Sequence, residues 1–254
     1  MSDVLVVRHG AVAEVRLDRP PVNAFGDDAS AAIQRVAQSI MEDDTVRSVL
    51  LWGGEKHFAA GADVAALAGM GYEEVVAWNA RLQASFSAVA MISVPVVAVL
   101  TGFALGGGLE LALCADYRVA ATTAKVGLPE VTLGIMPGSG GTQRLTRIVG
   151  RSRAKEILFS GRTIRSDEAL RLGIVDEVTD ADPYARGLEL ARAWAEGPRF
   201  ALRAIKAAVD GTDVGLAEGL ALERSLIAGL FATADKRIGM DSFLADGPGK
   251  AEFE

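Results

Sequence analysis

The chain has 254 residues, half of them hydrophobic, which is enough apolar material for a large core and excludes a mainly disordered protein. Its 26 basic and 33 acidic side chains give a net charge of −7 without any basic run, so we expect no nucleic-acid partner. A single cysteine, Cys114, excludes an internal disulfide, and the isolated His9 and His57 lack the spacing of a structural metal site.

No leader or membrane span is expected from the hydropathy pattern. MSDVLVVRHG lacks a basic segment followed by a long apolar run, and VPVVAVLTGFALGG ends in glycine before it reaches membrane-spanning length. We therefore expect a cytoplasmic protein with no membrane partner.

The N-terminal segment predicts a hairpin followed by a helix. VLVVRHG and AVAEVRLDRP are β-branched runs joined at His9-Gly10. Apolar residues then recur at intervals of three and four from Asp27, a predicted N-cap, to Met41, which is typical of an amphipathic helix.

Strands and helices continue to alternate in the next segment. VRSVLLWGG predicts a buried strand, YEEVVAWNARLQASFSAVAMI a long helix, and PVVAVLTG a strand that is apolar on both faces. This order predicts crossover connections around a largely buried sheet.

The pattern repeats after the glycines at 106–108 and then becomes purely helical. LELALCA predicts a helix, YRVAATT a strand, the residues around Pro129 a loop, and a further helix begins near Ser139. From about Asp182 only helical periodicity remains, interrupted at Gly197-Pro198 and Asp210-Gly211. We therefore predict an α/β core over residues 1–181 and a C-terminal helical extension over 182–254, within one functional unit.

The glycine-rich segments do not fit the common phosphate and nucleophile motifs. GFALGGG and GIMPGSGGTQR both lack the P-loop lysine and the spacing G-x-G-x-x-G. Ser139 does not fit the elbow G-x-S-x-G, because Pro137 precedes Gly138.

Two small-residue turns instead precede predicted helices, one in GFALGGGLEL and one in KHFAAGADVAAL. The first amides of a helix have no intrahelical acceptor, and a pair of such turns can polarise one carbonyl oxygen. The alternative is that the glycines only permit close packing of a helix against a strand.

Two carboxylates accompany these turns. Glu110 lies in the helix that the glycines open, and Glu130 follows Pro129 between Leu128 and Val131. A carboxyl group in apolar surroundings keeps its proton to higher pH, which suits proton transfer near neutrality. The alternative for each is a structural salt bridge.

Over roughly residues 12–243 the chain resembles the enoyl-CoA hydratase/isomerase (crotonase) family. The resemblance implies a crotonase-like α/β fold, a ββα spiral core with a C-terminal α-helical extension. The segments that carry it are LDRPPVNAF, HFAAGADVAAL, VPVVAVLTGFALGGGLELALCADYRVA and VGLPEVTLGIMPGSGGTQRLTRIVG.

The resemblance implies roles for five positions in the chemistry. The backbone amides of Ala62 and Gly107 match the pair that forms an oxyanion hole for a thioester carbonyl. Glu110 matches the group that activates water for attack on C3, and Glu130 the one that delivers a proton to C2. The amide of Gly138 matches one that helps to place the water.

The resemblance also implies where coenzyme A lies. Its adenine would lie near the backbone of Ala60, Asp63 and Val64, and its phosphates near Lys56. Phe243 matches an aromatic residue that covers the adenine of a neighbouring subunit. Asp63 is expected to cap its helix rather than to act in catalysis.

Two positions depart from the family pattern. Ala65 and Asp246 stand where basic residues are usual, which predicts weaker phosphate binding unless Lys250 or another base substitutes.

The implied activity is reversible addition of water to trans-2-enoyl-CoA, giving 3-hydroxyacyl-CoA in fatty-acid or related acyl-CoA catabolism. It needs no cofactor, because coenzyme A is part of the substrate, and the family's usual assembly is a homo-hexamer made of two trimers. Two alternatives stay open: an enoyl-CoA isomerase that uses Glu130, and a non-catalytic acyl-CoA-binding homologue.

Overall fold

The computed structural model describes residues 3–253, apart from the side chain at position 213. These residues form nine strands, eleven α-helices and two 3-10 helices, at Pro129–Leu133 and Gly211–Asp213. The strands are β1 (Val4–His9), β2 (Val12–Leu17), β3 (Ser48–Trp52), β4 (Val96–Leu100), β5 (Phe103–Leu105), β6 (Tyr117–Ala121), β7 (Lys125–Gly127), β8 (Ile164–Arg165) and β9 (Glu177–Thr179). The α-helices are α1 (Asp27–Glu42), α2 (Val64–Ala68), α3 (Tyr72–Ala90), α4 (Gly107–Ala112), α5 (Gly141–Val149), α6 (Arg151–Ser160), α7 (Ser166–Arg171), α8 (Pro183–Ala195), α9 (Arg199–Asp210), α10 (Leu216–Leu230) and α11 (Ala234–Asp246).

A six-stranded sheet in the order β1-β2-β3-β4-β6-β9 forms the centre of the fold. The hairpin β1-β2 is antiparallel, and every later pairing in this sheet is parallel. Parallel neighbours need crossover connections, which α1, α3 and the segment after β4 supply. The predicted hairpin and the predicted crossovers are therefore confirmed.

Helices cover both faces of this sheet, which explains why β3 and β4 are buried along their whole length. Leu51 and Ala98 pack with α1 and α3, whereas Leu50 and Val97 belong to a second cluster with α8. Successive strand residues point to opposite faces, so an unbroken apolar run is what a sheet covered on both sides requires.

A second, three-stranded sheet carries the chain into the glycine-rich turn. In this sheet β5 pairs parallel with β7, and β7 pairs antiparallel with β8. The sequence did not predict these strands, because two or three residues are too few for an alternating pattern. The amide of Gly106, just after β5, donates to the Gly127 carbonyl of β7 at 2.9 Å, which fixes the end of β5.

Two sequence-based assignments were wrong, at Asp27 and at Pro129, and the start of α5 lies slightly later than expected. Gly26 is the N-cap of α1, and Asp27 is the first helical residue, where its carboxylate favours the helix dipole and pairs with Arg81 at 2.8 Å. The segment expected to be a loop at Pro129 is a 3-10 helix. The helix expected near Ser139 begins at Gly141, because Gly140 has a φ of 115°, which is incompatible with a right-handed helix.

The C-terminal helices differ in how they meet the core. Helix α8 packs on the sheet, whereas no side chain is buried along α9 or α10 within the described residues. Lys206 of α9 contacts the Asp116 carboxylate at 2.7 Å, and the same carboxylate accepts from the amide of Val96 at the start of β4. The boundary at residue 182 stays a prediction. In residues 3–253, no helix combines the length and the apolar character needed to cross a bilayer.

Asn23 connects the segment after β2 to the segment after β3. Its φ of 54° lies in the left-handed region, and its buried side-chain amide donates to the carbonyls of Gly53 at 2.6 Å and Phe58 at 2.9 Å. The side-chain oxygen accepts from the amide of Arg19 at 2.9 Å. One side chain therefore holds two loops together.

We expect Asn23→Ala to lower the free energy of unfolding by about 2–4 kcal/mol, because it removes buried hydrogen bonds and leaves a strained backbone. Asn23→Gly removes the same bonds but tolerates the left-handed conformation, so its loss should be smaller. Urea unfolding of both variants and the wild type measures this difference. Equal losses in the two variants would show that the backbone conformation contributes nothing.

Candidate active site

The glycine triplet 106–108 lies where β5 passes into α4. Gly106 has a φ of 53°, in the region that favours glycine. A β-carbon on Gly108 would overlap the carbonyl of Ala59, and one on Gly107 would lie 3.2 Å from the ring of Phe25. The glycines therefore permit close packing and also open a helix whose first amides have no intrahelical acceptor, while the paired-donor role stays a prediction.

The second small-residue turn, residues 59–63, lies directly against the first. The carbonyl of Ala59 accepts from the Leu105 amide at 3.0 Å, which aligns this turn with β5. Gly61 has a φ of 97°, and a β-carbon there would lie 3.4 Å from the amide nitrogen of Gly107. The structure thus brings together the two turns that the sequence separates by some forty residues.

The backbone determines where the amide of Ala62 points. Ala62 forms a parallel bridge with Phe25, in which the Phe25 amide donates to Gly61 at 2.8 Å and the Asp63 amide donates to Phe25 at 3.1 Å. Because the neighbours of Ala62 make these bonds, its own N–H points away from Phe25. Gly107 is the first residue of α4, and its N–H has no acceptor within the helix.

Glu110 of α4 is only 2% exposed, and backbone amides hold its carboxylate. Its Oε1 accepts from the amides of Ser139 and Gly141, both at 2.8 Å. Burial raises the pKa of Glu110, while the Gly141 and Ser139 amides and the charge of Arg144 oppose that rise. The environment favours an oriented carboxylate rather than the salt bridge considered from the sequence.

Glu130 of the first 3-10 helix lies beside the same glycine turn. A β-carbon on Gly106 would be 3.0 Å from its Oε1, and its buried Oε2 has no hydrogen-bond partner among residues 3–253. Burial, with a further contribution from the charge of Glu110, raises the pKa of Glu130 to about 7. This carboxyl group can therefore gain or lose a proton near neutral pH.

The loop from Pro137 to Gly140 holds Glu110 through its backbone. The Gly138 carbonyl accepts from the side-chain amides of Asn79 at 3.0 Å and Gln83 at 3.3 Å. The role assigned to the Gly138 amide stays a prediction. The sequence analysis missed Asn79 and the amides of Ser139 and Gly141, and the only available signal was a polar residue beside Trp78 in a largely apolar helix.

Three of the residues predicted to bind coenzyme A lie in the second turn or directly after it. Ala60, Asp63 and Val64 flank Ala62, and Val64 is 52% exposed. The Asp63 carboxylate accepts from the amides at positions 65 and 66, which confirms its predicted capping role. Lys56 is exposed and lines a cavity of about 360 Å³.

Phe243 and Asp246 lie apart from these residues in the sequence, on α11. Phe243 is 59% exposed, as a residue that reaches a neighbouring subunit would be. Its predicted contact lies outside a single chain and stays a prediction.

Comparison with known proteins identifies the family. The family model for enoyl-CoA hydratase/isomerase matches residues 8–253. A probable enoyl-CoA hydratase of Rhizobium meliloti is 39% identical, covering 99% of this chain and 97% of the relative, and a crotonyl-CoA hydratase of Syntrophomonas wolfei is 36% identical, covering 96% and 95%.

A crystal structure of enoyl-CoA hydratase from Bacillus anthracis superposes with a TM-score of 0.93 at 34% identity, covering 99% of this chain and all of the other. The likeness extends over the α/β core and the C-terminal helices, so the predicted crotonase fold is confirmed. The chain therefore belongs to the enoyl-CoA hydratase/isomerase family.

Proposed function

We propose that this protein is an enoyl-CoA hydratase that interconverts trans-2-enoyl-CoA and 3-hydroxyacyl-CoA. The observation that carries the proposal is a pair of carboxylates with different environments: amides hold the buried Glu110, whereas partial burial raises the pKa of Glu130 to about 7. Carboxyl groups placed in unlike surroundings can divide the acid and base roles of one reaction. The names of the relatives support the same activity.

In the proposed reaction, the amides of Ala62 and Gly107 donate to the thioester oxygen. Glu110 accepts a proton from water as the water oxygen bonds to C3, and the electron pair of the C2–C3 double bond moves toward the thioester oxygen as an enolate. Glu130 then gives its proton to C2. Removal of one such oxyanion donor in other enzymes costs about 2.7–4 kcal/mol of transition-state stabilisation.

Each turnover leaves one carboxyl group with an extra proton and the other without its proton. Glu110 ends the step protonated and Glu130 ends it ionised, so one proton must pass from the first to the second before the next turnover. The influence of the Glu110 charge on the pKa of Glu130 indicates that the groups are close enough to interact. In this proposal the amide of Gly138 helps to place the attacking water.

The proposed substrate reaches the site with its coenzyme A along residues 60–64. Lys56 lies near the phosphates, and Phe243 covers the adenine of a neighbouring subunit. No cofactor takes part, since coenzyme A is bonded to the substrate, and we propose a cytoplasmic location with a role in fatty-acid or related acyl-CoA catabolism.

We also propose assembly into a hexamer of two trimers. The support is that large apolar side chains are exposed along the C-terminal helices, where a monomer would leave them in water. They include Ile205, Val209, Leu216, Phe231 and Leu244.

One observation favours a second candidate, an enoyl-CoA isomerase. Among residues 3–253 the buried Oε2 of Glu130 has no hydrogen-bond partner, and a pKa raised to about 7 suits a single group that both removes and returns a proton. In that case Glu110→Gln would spare turnover of a 3-enoyl-CoA, and no hydration of the 2-enoyl isomer would be detected.

We expect Glu110→Gln and Glu130→Gln each to lower kcat for hydration by about 100-fold or more, because each removes a proton-transfer group and keeps its shape. Loss of the enoyl-thioester absorbance measures the rate. Glu189→Gln, at a 70% exposed side chain paired with Arg186 on α8, is the matched control and should keep the wild-type rate. Wild-type rates in both site variants would exclude the mechanism, and tight thioester binding without turnover in the wild type would indicate a non-catalytic binder.

We expect Glu130→Gln to become more stable relative to the wild type as the pH rises from about 5 to 8. The folded protein raises the pKa of Glu130 from its ordinary 4.5 to about 7, so the wild type loses stability across that interval. Glutamine does not titrate, and the difference in unfolding free energy should grow by on the order of 2–3 kcal/mol. Thermal unfolding at several pH values measures it, and a constant difference would contradict the raised pKa.

We expect the wild-type protein to sediment as a particle of six chains. Leu244→Glu places a charge on an 83% exposed apolar position of α11 and should shift the particle to smaller species. Analytical ultracentrifugation distinguishes the two results. A monomeric wild type at micromolar concentration would exclude the proposed assembly.

A further inference from the structure

One peptide unit links helix α3 to the carboxylate of Glu110. The carbonyl of Gly138 and the N–H of Ser139 belong to this unit. The Asn79 side-chain amide donates to that carbonyl at 3.0 Å, and the Ser139 N–H donates to Glu110 Oε1 at 2.8 Å. The three groups form a continuous chain of hydrogen bonds.

The packing of α3 against the core fixes the position of Asn79, where this chain of hydrogen bonds begins. Trp78 and Leu82 on either side of Asn79 are buried in the core, with exposures of 7% and 2%. Asn79 itself is part-buried, and its bond to the loop is partly shielded from water. Its backbone position is therefore set by the core and not by the loop that it contacts.

Glycine at position 138 brings the loop close to this side chain. A β-carbon there would lie 2.5 Å from Asn79 Oδ1, so a larger residue would displace the Asn79 amide or the loop. The loop also contains Pro137, which restricts its backbone, and Gly140, whose φ is 115°. The orientation of the peptide at 138–139 thus depends on the hydrogen bonds that its carbonyl accepts.

A hydrogen bond to the oxygen of a peptide strengthens the donor at its nitrogen, because neighbouring hydrogen bonds polarise one another. The Asn79 contact therefore both orients the Ser139 N–H and makes it a better donor. With the Gly141 amide also at 2.8 Å, two donors fix the same carboxylate oxygen.

We propose that Asn79 is a positioning residue for Glu110, which it orients through the Gly138–Ser139 peptide without touching the substrate. The inference rests on the proposed function, because it assumes that Glu110 is the base that activates water. It assigns part of the activity to a side chain on a helix outside both small-residue turns.

The charged and titratable groups that act on Glu110 are few. Arg144 of α5 favours its ionised form, whereas Glu130 and the buried thiol of Cys114 interact with it as neighbouring acids. None of these groups changes when Asn79 is replaced by a neutral residue. Weakening the Ser139 donor removes stabilisation of the carboxylate alone and moves the pKa of Glu110 upward.

Gln83 provides an internal comparison. It lies one turn after Asn79 on α3 and donates to the same carbonyl, but at 3.3 Å and from an exposed position. Water can replace such a bond at little cost, so Gln83 should contribute much less.

The test compares Asn79→Leu with Gln83→Leu, in the full-length protein with a short trans-2-enoyl-CoA. We expect Asn79→Leu to lower kcat about ten-fold and to move the acidic limb of the kcat/KM profile up by about half a pH unit, with KM nearly unchanged. Gln83→Leu should lower kcat less than about two-fold and leave the limb in place. Asn79→Ser, whose hydroxyl is too short to reach the carbonyl, replaces Asn79→Leu if that variant does not fold.

A second readout does not depend on turnover. Infrared titration of the Glu110 carboxyl group, identified by its loss in Glu110→Gln, should show a higher pKa in Asn79→Leu than in the wild type. If the wild type does not hydrate the thioester, the proposed function fails, and this titration still tests the inference.

An unmoved Glu110 titration in Asn79→Leu would overturn the inference, even where the wild type hydrates its substrate. Equal losses in the Asn79 and Gln83 variants would also overturn it, because they would indicate general packing between the helix and the loop. A lower kcat with an unchanged pH profile would show a structural role for Asn79 rather than a positioning one.

Discussion

The contact between the two small-residue turns is the constraint on which the rest of the site depends. A β-carbon on Gly61 would lie 3.4 Å from the amide nitrogen of Gly107, and the absence of a β-carbon at Gly108 lets Ala59 lie against α4. Main-chain bonds to β5 and to Phe25 hold the second turn in this position. Backbone dipoles fixed in this way need no rearrangement when charge develops on a bound ligand, which is what makes preorganised amides effective.

The same compact packing gives the two carboxylates different properties. Burial raises the pKa of both, but Glu110 receives two amide donors and the field of Arg144, whereas one oxygen of Glu130 has no hydrogen-bond partner in the described part of the chain. The donors orient Glu110 and stabilise its charge, while Glu130 remains poised between its two protonation states. The two neighbouring carboxyl groups thus differ because the amides of Ser139 and Gly141 hold Glu110, whereas the backbone bond to Glu130 comes from its own residue.

The sequence predicts five strands of the main sheet (β1, β2, β3, β4 and β6) and its covering helices, because long apolar periods carry strong signals. It also singles out both carboxylates, although from the residues alone a structural salt bridge stays an alternative for each. It misses β5, β7, β8 and β9, which are too short to show a period. The sequence also predicts Asp27 as the N-cap of α1, whereas the structure has Gly26 at that position. The side chain of Asp27 instead forms an ion pair with Arg81.

The contacts of the Ser139 and Gly141 amides with Glu110 cannot be predicted from residue type, because they are made by the backbone. Their function depends on the conformation of a loop and not on residue type. The contact of Asn79 with the loop could not be predicted either. Asn79 lies on α3, and only the folded structure brings it to a peptide some sixty positions later.

The salt bridge between Lys206 and Asp116 bears on how such a protein tolerates change. It anchors α9 where β4 begins, and β4 leads through β5 into the glycine turn at 106–108. Lys206 thus ties a helix that buries no side chain in residues 3–253 to the segment from which a central strand starts. Substitutions at exposed positions of α9 that keep this ion pair can therefore accumulate with little effect on the central sheet.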